Sequence, residues 1–194
     1  MVKLENKLQF PRLSLFSSKI SILVFISLSN GIYLLGKVAP ESIYKAYAFP
    51  SGYIASFFLG SPPVVDARGE LFIPLSGQFI HIIKSCSGFG FFCLFYAFVV
   101  SFFFRPLVYP AIKKPGVRLV VIILALPLVY AITVFTNASR IICAYHAGRI
   151  GRLIFPANFQ AALHQGVGIA VFLTVLILTA IFLERMVKYE QCRG

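Results

Sequence analysis

The chain has 194 residues, of which 59% are hydrophobic and only 12% are charged, and its formal net charge is +12. A soluble domain of this size needs more charge to stay dispersed, so the composition indicates a protein embedded in lipid. The basic residues are spread between apolar runs and form no dense patch with interleaved aromatic residues. This distribution argues against a nucleic-acid partner and points to membrane topology.

Four uncharged stretches are long enough to cross a bilayer as helices. Each encloses roughly 17 to 21 residues, close to the ~20 that a helix needs to cross the hydrocarbon core. Lipid offers peptide groups no hydrogen-bond partner, so these stretches must be helical. The predicted spans are residues 20–36, 87–104, 118–137 and 165–183 of a single domain, 1–194, with outer segments at about 38–86 and 138–164.

Lysine and arginine residues set the predicted orientation. They are concentrated before the first span, between the second and third spans, and after the fourth span. Because basic residues collect on the cytoplasmic side, both termini are predicted to be cytoplasmic. The N-terminus has no small-residue cleavage site, so the first span is interpreted as an anchor in the cell (inner or cytoplasmic) membrane.

The segment between the first and second spans is predicted to hold a short helix and a β-hairpin. Residues 46–65 lack charge, but their prolines and glycines leave only Tyr53–Leu59 as the core of an interfacial or re-entrant helix. A full crossing here would reverse every later span. Val64–Ile73 is predicted to form a hairpin around turn residues Asp66–Gly69, and Phe79–Ile83 is rich in β-forming residues.

The predicted fold is therefore an all-α polytopic membrane protein with about four transmembrane helices, a short interfacial helix and a small extracytoplasmic β-hairpin. In this topology the second helix starts outside, the third ends outside and the fourth starts outside. Cys86, Arg140 and His164 then share one boundary layer. A thiolate, an imidazole that moves protons and a guanidinium that holds a negative oxygen together suit acyl transfer. The helix N-terminus and Lys84 both favour the thiolate of Cys86.

Each of these residues also has a simpler interpretation. An oxidising compartment would allow a disulfide between Cys86 and Cys143. An arginine at the end of a span often only extends toward the headgroups, and a histidine can simply cap a helix. A metal site built from the three histidines and a cysteine lacks any closely spaced ligand pair, so we expect no metal and no cofactor.

Helical spacing predicts supporting positions around two of the three residues. Asn137 lies three residues before Arg140 on the same helical face, where it would support the guanidinium or a substrate amide. His164, Gly168 and Phe172 recur at four-residue intervals and so form one stripe of the fourth helix. Gly168 permits the close approach of a neighbouring helix.

The chain carries three short motifs in order: Cys86-Ser87-Gly88, then Asn137-Ala138-Ser139-Arg140-Ile141, then His164 with Gly168 and Phe172. Together, over roughly Phe79 to Phe182, they resemble the signatures of the exosortase/archaeosortase family. The resemblance implies that the family's catalytic residues correspond to Cys86, Arg140 and His164. It also implies supporting or substrate-binding roles for the remaining motif positions Ser87, Gly88, Asn137, Gly168 and Phe172.

Membership in this family would imply a membrane-embedded cysteine transpeptidase or protease. Its partners would be the lipid bilayer and membrane-anchored exported proteins with a C-terminal sorting signal: a short motif such as Pro-Glu-Pro, a transmembrane helix and a basic tail. A thioacyl-enzyme on Cys86 would pass the acyl group to a lipid or glycan acceptor, or to water. The alternative is a non-catalytic multi-pass scaffold or carrier subunit with a Cys86–Cys143 disulfide.

Overall fold

The structure, a computed structural model, describes residues 19–38, 40–76, 78–83, 86–103, 115–156 and 159–193. These ranges form five helices and three short strands. The helices are α1 (Lys19–Val38), α2 (Glu41–Leu59), α3 (Phe89–Phe103), α4 (Pro115–Ile154) and α5 (Gln160–Arg193). The strands are β1 (Val64–Val65), β2 (Leu71–Leu75) and β3 (Gln78–Ile82).

Within the described part of the chain, two helices are long and apolar enough to cross a membrane, Leu119–Ile154 and Gln160–Met186. Helices α1 and α2 add a third crossing if the pair is one span bent by 104°. Helix α3 is apolar but shorter, with 15 residues. The long apolar helices indicate a membrane protein, whereas four crossings and the orientation stay predictions. The basic residues of 1–18 and 104–114, on which that orientation partly depends, lie outside the described residues.

Helix α2 is longer than the short interfacial helix that the sequence predicts. It begins at Glu41 and continues through Pro50, although proline usually interrupts a helix. A proline has no N–H to donate to the carbonyl four residues earlier, here that of Ala46. The hydroxyl of Tyr130 in α4 donates a hydrogen bond to this carbonyl at 2.7 Å. The proline is therefore tolerated, and α2 is joined to α4 at the same point.

The predicted hairpin is confirmed and belongs to a three-stranded antiparallel sheet with the order β1-β2-β3. In the turn, the Asp66 Oδ1 atom accepts hydrogen bonds from the backbone N–H groups of Arg68 and Glu70, at 2.9 and 2.8 Å. Gly69 follows at φ +74°, a left-handed conformation that favours glycine. Strand β3 pairs with β2 alone and lies at one edge of the sheet.

One face of the sheet packs against α2 and α4. A Cβ atom on Gly52 of α2 would overlap the terminal methyl groups of Leu71 and Ile82, so glycine allows this close approach without a shift of those side chains. The buried residues of this face also pack against Ala138 and Ile141 of α4. The strand β3 is thereby held beside α4, and the chain that leaves β3 enters α3 close to the middle of α4.

Two long helices extend beyond the predicted spans, whose bounds in the membrane stay predictions. The sequence predicts that the third span ends near Asn137, and the helix α4 continues beyond it to Ile154, with no proline between Asn137 and Pro156. The fourth helix begins at Gln160, five residues before the predicted position 165. Helix α3 begins at Phe89, two residues after the predicted 87, and its predicted end at 104 lies outside the described residues.

Candidate active site

A cavity of about 570 Å³ lies where β3, the chain before α3, α4 and the beginning of α5 meet. Cys86, Arg140 and His164 all line this cavity. Its volume is within the range of ligand-binding pockets, ≈ 300–1,000 Å³. The three reactive side chains that the sequence places at one depth therefore border one shared space. Their catalytic roles stay predictions.

The backbone around Cys86 is held by hydrogen bonds on both sides of the thiol. Its N–H group donates to the carbonyl of Ile83 at 2.8 Å, and its own carbonyl accepts a hydrogen bond from Asn137 Nδ2 at 2.9 Å. The next residue, Ser87, accepts a hydrogen bond from the N–H of Phe89 at 3.3 Å and so caps the N-terminus of α3. The thiol thus lies at the start of a helix, as predicted. Lys84, which was expected to assist it, lies outside the described residues.

Asn137 supports the cysteine loop through its Nδ2 atom, and its support of the guanidinium or of a substrate amide stays a prediction. The side chain is completely buried, and its Oδ1 atom has no hydrogen-bond partner. Gly88 packs directly on it: a Cβ atom on Gly88 would lie 3.0 Å from the Cβ and Cγ atoms of Asn137. Gly88 also has φ +83°. The Cys-Ser-Gly motif therefore docks on Asn137 through both a hydrogen bond and a close contact.

We expect Gly88→Ala to destabilise the protein by about 1–3 kcal/mol, because alanine at a positive φ is strained and its methyl group would press on Asn137. The matched control is Gly90→Ala, two residues later in α3, where an added Cβ would meet no atom within 4 Å. Alanine should stabilise that helical position by about 0.5–1 kcal/mol. Thermal unfolding of the two purified variants in detergent measures the difference. Equal melting temperatures would contradict the proposed fit of Gly88 to Asn137.

Two residues of the third motif, Gly168 and Phe172, contact the side chain of Arg140 and position it. Gly168 of α5 has no side chain, and a Cβ atom there would lie 2.7 Å from Arg140 Nε, so glycine makes room for the arginine. The guanidinium carbon lies 5.3 Å from the centroid of the Phe172 ring, a cation–π distance. Phe172 in turn stacks on Phe91 of α3, with ring centroids 4.3 Å apart. These contacts join α3, α4 and α5 beneath the cavity.

His164 lies one helical turn before Gly168, in the second turn of α5. One turn of four residues corresponds to roughly 6 Å along the helix axis. Because Gly168 touches the Arg140 side chain, the imidazole and the guanidinium are neighbours along the cavity wall. His164 is therefore part of the wall and not a helix cap.

The cavity has a positive electrostatic character. Its lining contains the two guanidinium groups of Arg140 and Arg152 and two imidazoles, but no carboxylate. The Glu70 carboxylate lies 2.6 Å from Nε2 of His81 and is not part of the lining that the described residues form. Among the described ion pairs none involves Arg140. Such a lining attracts anionic groups and charge that develops as an oxyanion.

Sequence reasoning missed two of the charged features of this cavity. Arg152 was not recognised because α4 was predicted to end before it, although residues 140, 144, 148 and 152 recur at the four-residue spacing of one helical face. His81 of β3 pairs with Glu70, the residue before β2, and the register Phe72↔His81 brings the two side chains together. The His81–Glu70 pair therefore has no signal in a local motif.

The described thiols of Cys86, Cys93 and Cys143 are all free. Cys143 is exposed and does not line the cavity, so the alternative Cys86–Cys143 disulfide is not formed in the structure. Among the described residues, no group of three His, Cys, Asp or Glu residues is placed to hold a metal ion. No protein-family model, curated protein or solved structure matches this chain. Functional inference therefore depends on the motifs and on the geometry of the cavity.

Proposed function

We propose that this protein is a membrane-embedded cysteine transpeptidase of the exosortase/archaeosortase type. In this proposal it cleaves the C-terminal sorting signal of exported proteins and transfers the new acyl end to an acceptor. The observation that carries the proposal is that Cys86, Arg140 and His164 border one cavity. A scaffold or carrier has no need for a nucleophile, a proton carrier and an unpaired guanidinium around one space.

The proposed reaction assigns one step to each side chain. The Cys86 thiolate attacks the scissile carbonyl, and the oxyanion that forms is stabilised by the Arg140 guanidinium. The carbon–nitrogen bond then breaks while protonated His164 gives its proton to the leaving amine. The resulting thioester is attacked by an acceptor amine or hydroxyl, or by water. His164 takes the proton of that nucleophile, the carbon–sulfur bond breaks, and the thiolate is restored.

The proposed topology places the cavity at the extracytoplasmic face of the cell membrane, with four crossings and both termini in the cytoplasm. The substrate's transmembrane helix lies beside the spans, and its basic tail stays in the cytoplasm. The scissile bond then reaches the outer boundary beside Cys86. The proposal is supported by the distribution of lysine and arginine along the chain and by the position of Cys86 at the start of the apolar helix α3.

The test is co-expression with a secreted reporter that ends in a three-residue motif, a transmembrane helix and a basic tail. A set of reporters varies the motif, starting from Pro-Glu-Pro. We expect at least one reporter to lose its C-terminal helix and tail in cells with the protein, as shown by immunoblotting for tags on either side of the motif. The matched control lacks the transmembrane helix and should stay intact. If every reporter stays intact while both proteins are present in the membrane, the proposal is wrong.

A further inference from the structure

One wall of the cavity is the free edge of a β-sheet. The strand β3 pairs with β2 on one side only, and residues Phe79 to Ile83 line the cavity. In any paired strand, the N–H and C=O groups of alternate residues point away from the partner strand. Among the described residues, no backbone group outside the sheet pairs with β3. A row of backbone donors and acceptors is therefore available along this wall.

This edge lacks three of the features that commonly prevent another strand from pairing. Exposed edges are commonly protected by lysine, by proline or by a β-bulge. The segment Gln78–Ile82 contains neither residue type, and its register with β2 is continuous from Leu75↔Gln78 to Leu71↔Ile82. Phe79 at its outer end is 76% exposed. The edge is thus regular and open to a partner strand.

The opposite wall is a face of α4 that leaves room for a peptide. Arg140, Ala144, Gly148 and Arg152 recur along this face and line the cavity. Ile141 and Tyr145 of α4 also line the cavity, but between the two arginines Ala144 is small and a Cβ atom on Gly148 would meet nothing within 4 Å, so this part of the wall leaves space. The distance along the helix from Arg140 to Gly148 is roughly 12 Å. That length matches about four residues of extended chain.

We propose that the substrate residues preceding the scissile bond bind as an added strand on the free edge of β3, within the groove between β3 and α4. This inference rests on the proposed function, because it is Cys86 that marks the end of the groove. The chain leaves β3 at Ile82 and reaches Cys86 four residues later, at the entrance of α3. The substrate also enters its transmembrane helix after the cleavage point, so the added strand runs parallel to β3. Strand addition of this kind is a common mode of peptide recognition.

The positive charges of the groove favour a substrate peptide that carries an acidic side chain. The Arg152 Nε atom donates a hydrogen bond to the Gly148 carbonyl at 3.2 Å, which folds the side chain back along α4 toward Arg140. Its remaining N–H groups can bind a carboxylate in a two-pronged manner. No carboxylate of the cavity lining competes for it. A carboxylate about four residues before the scissile bond would therefore be bound, and a lysine there would be repelled.

The test uses acetylated five-residue peptidyl chloromethyl ketones, whose chloride a thiolate displaces to form a thioether. The probes are alanine peptides with Glu, Gln or Lys at the fourth position before the reactive group. Rates of labelling of Cys86 are measured by mass spectrometry on the full-length protein in proteoliposomes. Chloroacetamide, which carries no peptide, reports the intrinsic reactivity of the thiol. We expect the Glu probe to label Cys86 roughly tenfold faster than the Lys probe does. The rate of labelling by chloroacetamide should be the same in the wild type and in variants of the groove.

Two comparisons test the strand directly. N-methylation of single amides in the Glu probe should slow labelling about five- to tenfold at every second position and have little effect between them, because only alternate amides face β3. Arg152→Gln should remove the preference for Glu, whereas Arg149→Gln should retain it, because Arg152 lines the cavity and Arg149 does not. If the labelling of Cys86 shows no alternation and no charge preference, strand addition is wrong while the nucleophile stands. If Cys86→Ala still cleaves the reporter, the proposed function itself fails.

Discussion

Replacing Cys86 with alanine is expected to abolish processing of a sorting-signal reporter, with a loss of roughly 10⁴-fold or more. The reason is that the thioester cannot form without the sulfur, and no other cysteine of the described chain lines the cavity. Cleavage in cells is measured as the ratio of shortened to intact reporter. Alanine is smaller than cysteine and should not disturb the loop held by Asn137, so we expect the variant to insert normally. The amount of the variant in the membrane fraction is measured to check this.

The matched control is Cys143→Ala, which removes an exposed thiol on α4 that lies outside the cavity. This variant should process the reporter at the wild-type rate. Normal cleavage by Cys86→Ala would refute the assignment of the nucleophile. An equal loss in both variants would show that thiols act through the stability of the protein and not through the chemistry.

Replacing Arg140 with lysine is expected to reduce processing by about 10²–10³-fold, the size of effect seen when a donor to an oxyanion is removed. Lysine keeps the charge but has no planar group to lie on Phe172 and no fork of N–H donors. The Cδ, Nε and Cζ atoms of Arg140 also lie close to Gly168, where the flat end of the arginine side chain fits against the helix. The measurement is the initial rate of reporter cleavage at equal amounts of membrane-inserted enzyme.

The control for this substitution is Arg149→Lys on the same helix. Arg149 is exposed, and its guanidinium carbon lies 5.8 Å from the Tyr145 ring, so it has the same kind of aromatic contact without facing the cavity. That variant should retain wild-type activity. If Arg140→Lys is also fully active, Arg140 only anchors the helix near the headgroups. The melting temperature of each variant separates a loss of stability from a loss of chemistry.

Much of the fold follows from local patterns. The hairpin at Val64–Ile73 was predicted from its turn residues, and the structure confirms it because the Asp66 side chain and Gly69 satisfy the turn. The first helix was predicted at 20–36 and spans Lys19–Val38. These features depend on interactions between residues close in sequence, which is why composition and spacing are sufficient to find them.

The features that were missed depend on contacts between distant residues. The full length of α2 was not predicted, because the hydrogen bond that Pro50 cannot donate to the Ala46 carbonyl is replaced by one from Tyr130, 84 residues away from Ala46. The contact of Asn137 with the cysteine loop was not predicted, because a helical face shows which neighbours on one helix are close but not which loop lies opposite. Only the packing of α3, α4 and α5 determines these partners.

The sequence predicted that the three site residues lie at the same depth in the membrane, but not that they line one cavity. Counting spans gives Cys86, Arg140 and His164 the same membrane level, but the shared cavity arises from the close approach of α5 to α4 at Gly168. The free edge of β3 could not be predicted either. A β-rich segment such as Phe79–Ile83 has the same composition at an edge as it has in the middle of a sheet.

The central claim is that Cys86 becomes acylated by the substrate at the cavity it shares with Arg140 and His164. Mass spectrometry of the protein purified from cells that express a processed reporter tests this directly. We predict an added mass on the peptide that contains Cys86, equal to the reporter up to the cleaved bond and removed by neutral hydroxylamine, which cleaves thioesters. Continued processing with the added mass on another residue, or with Cys86 unmodified when the acceptor is withheld, would contradict the account.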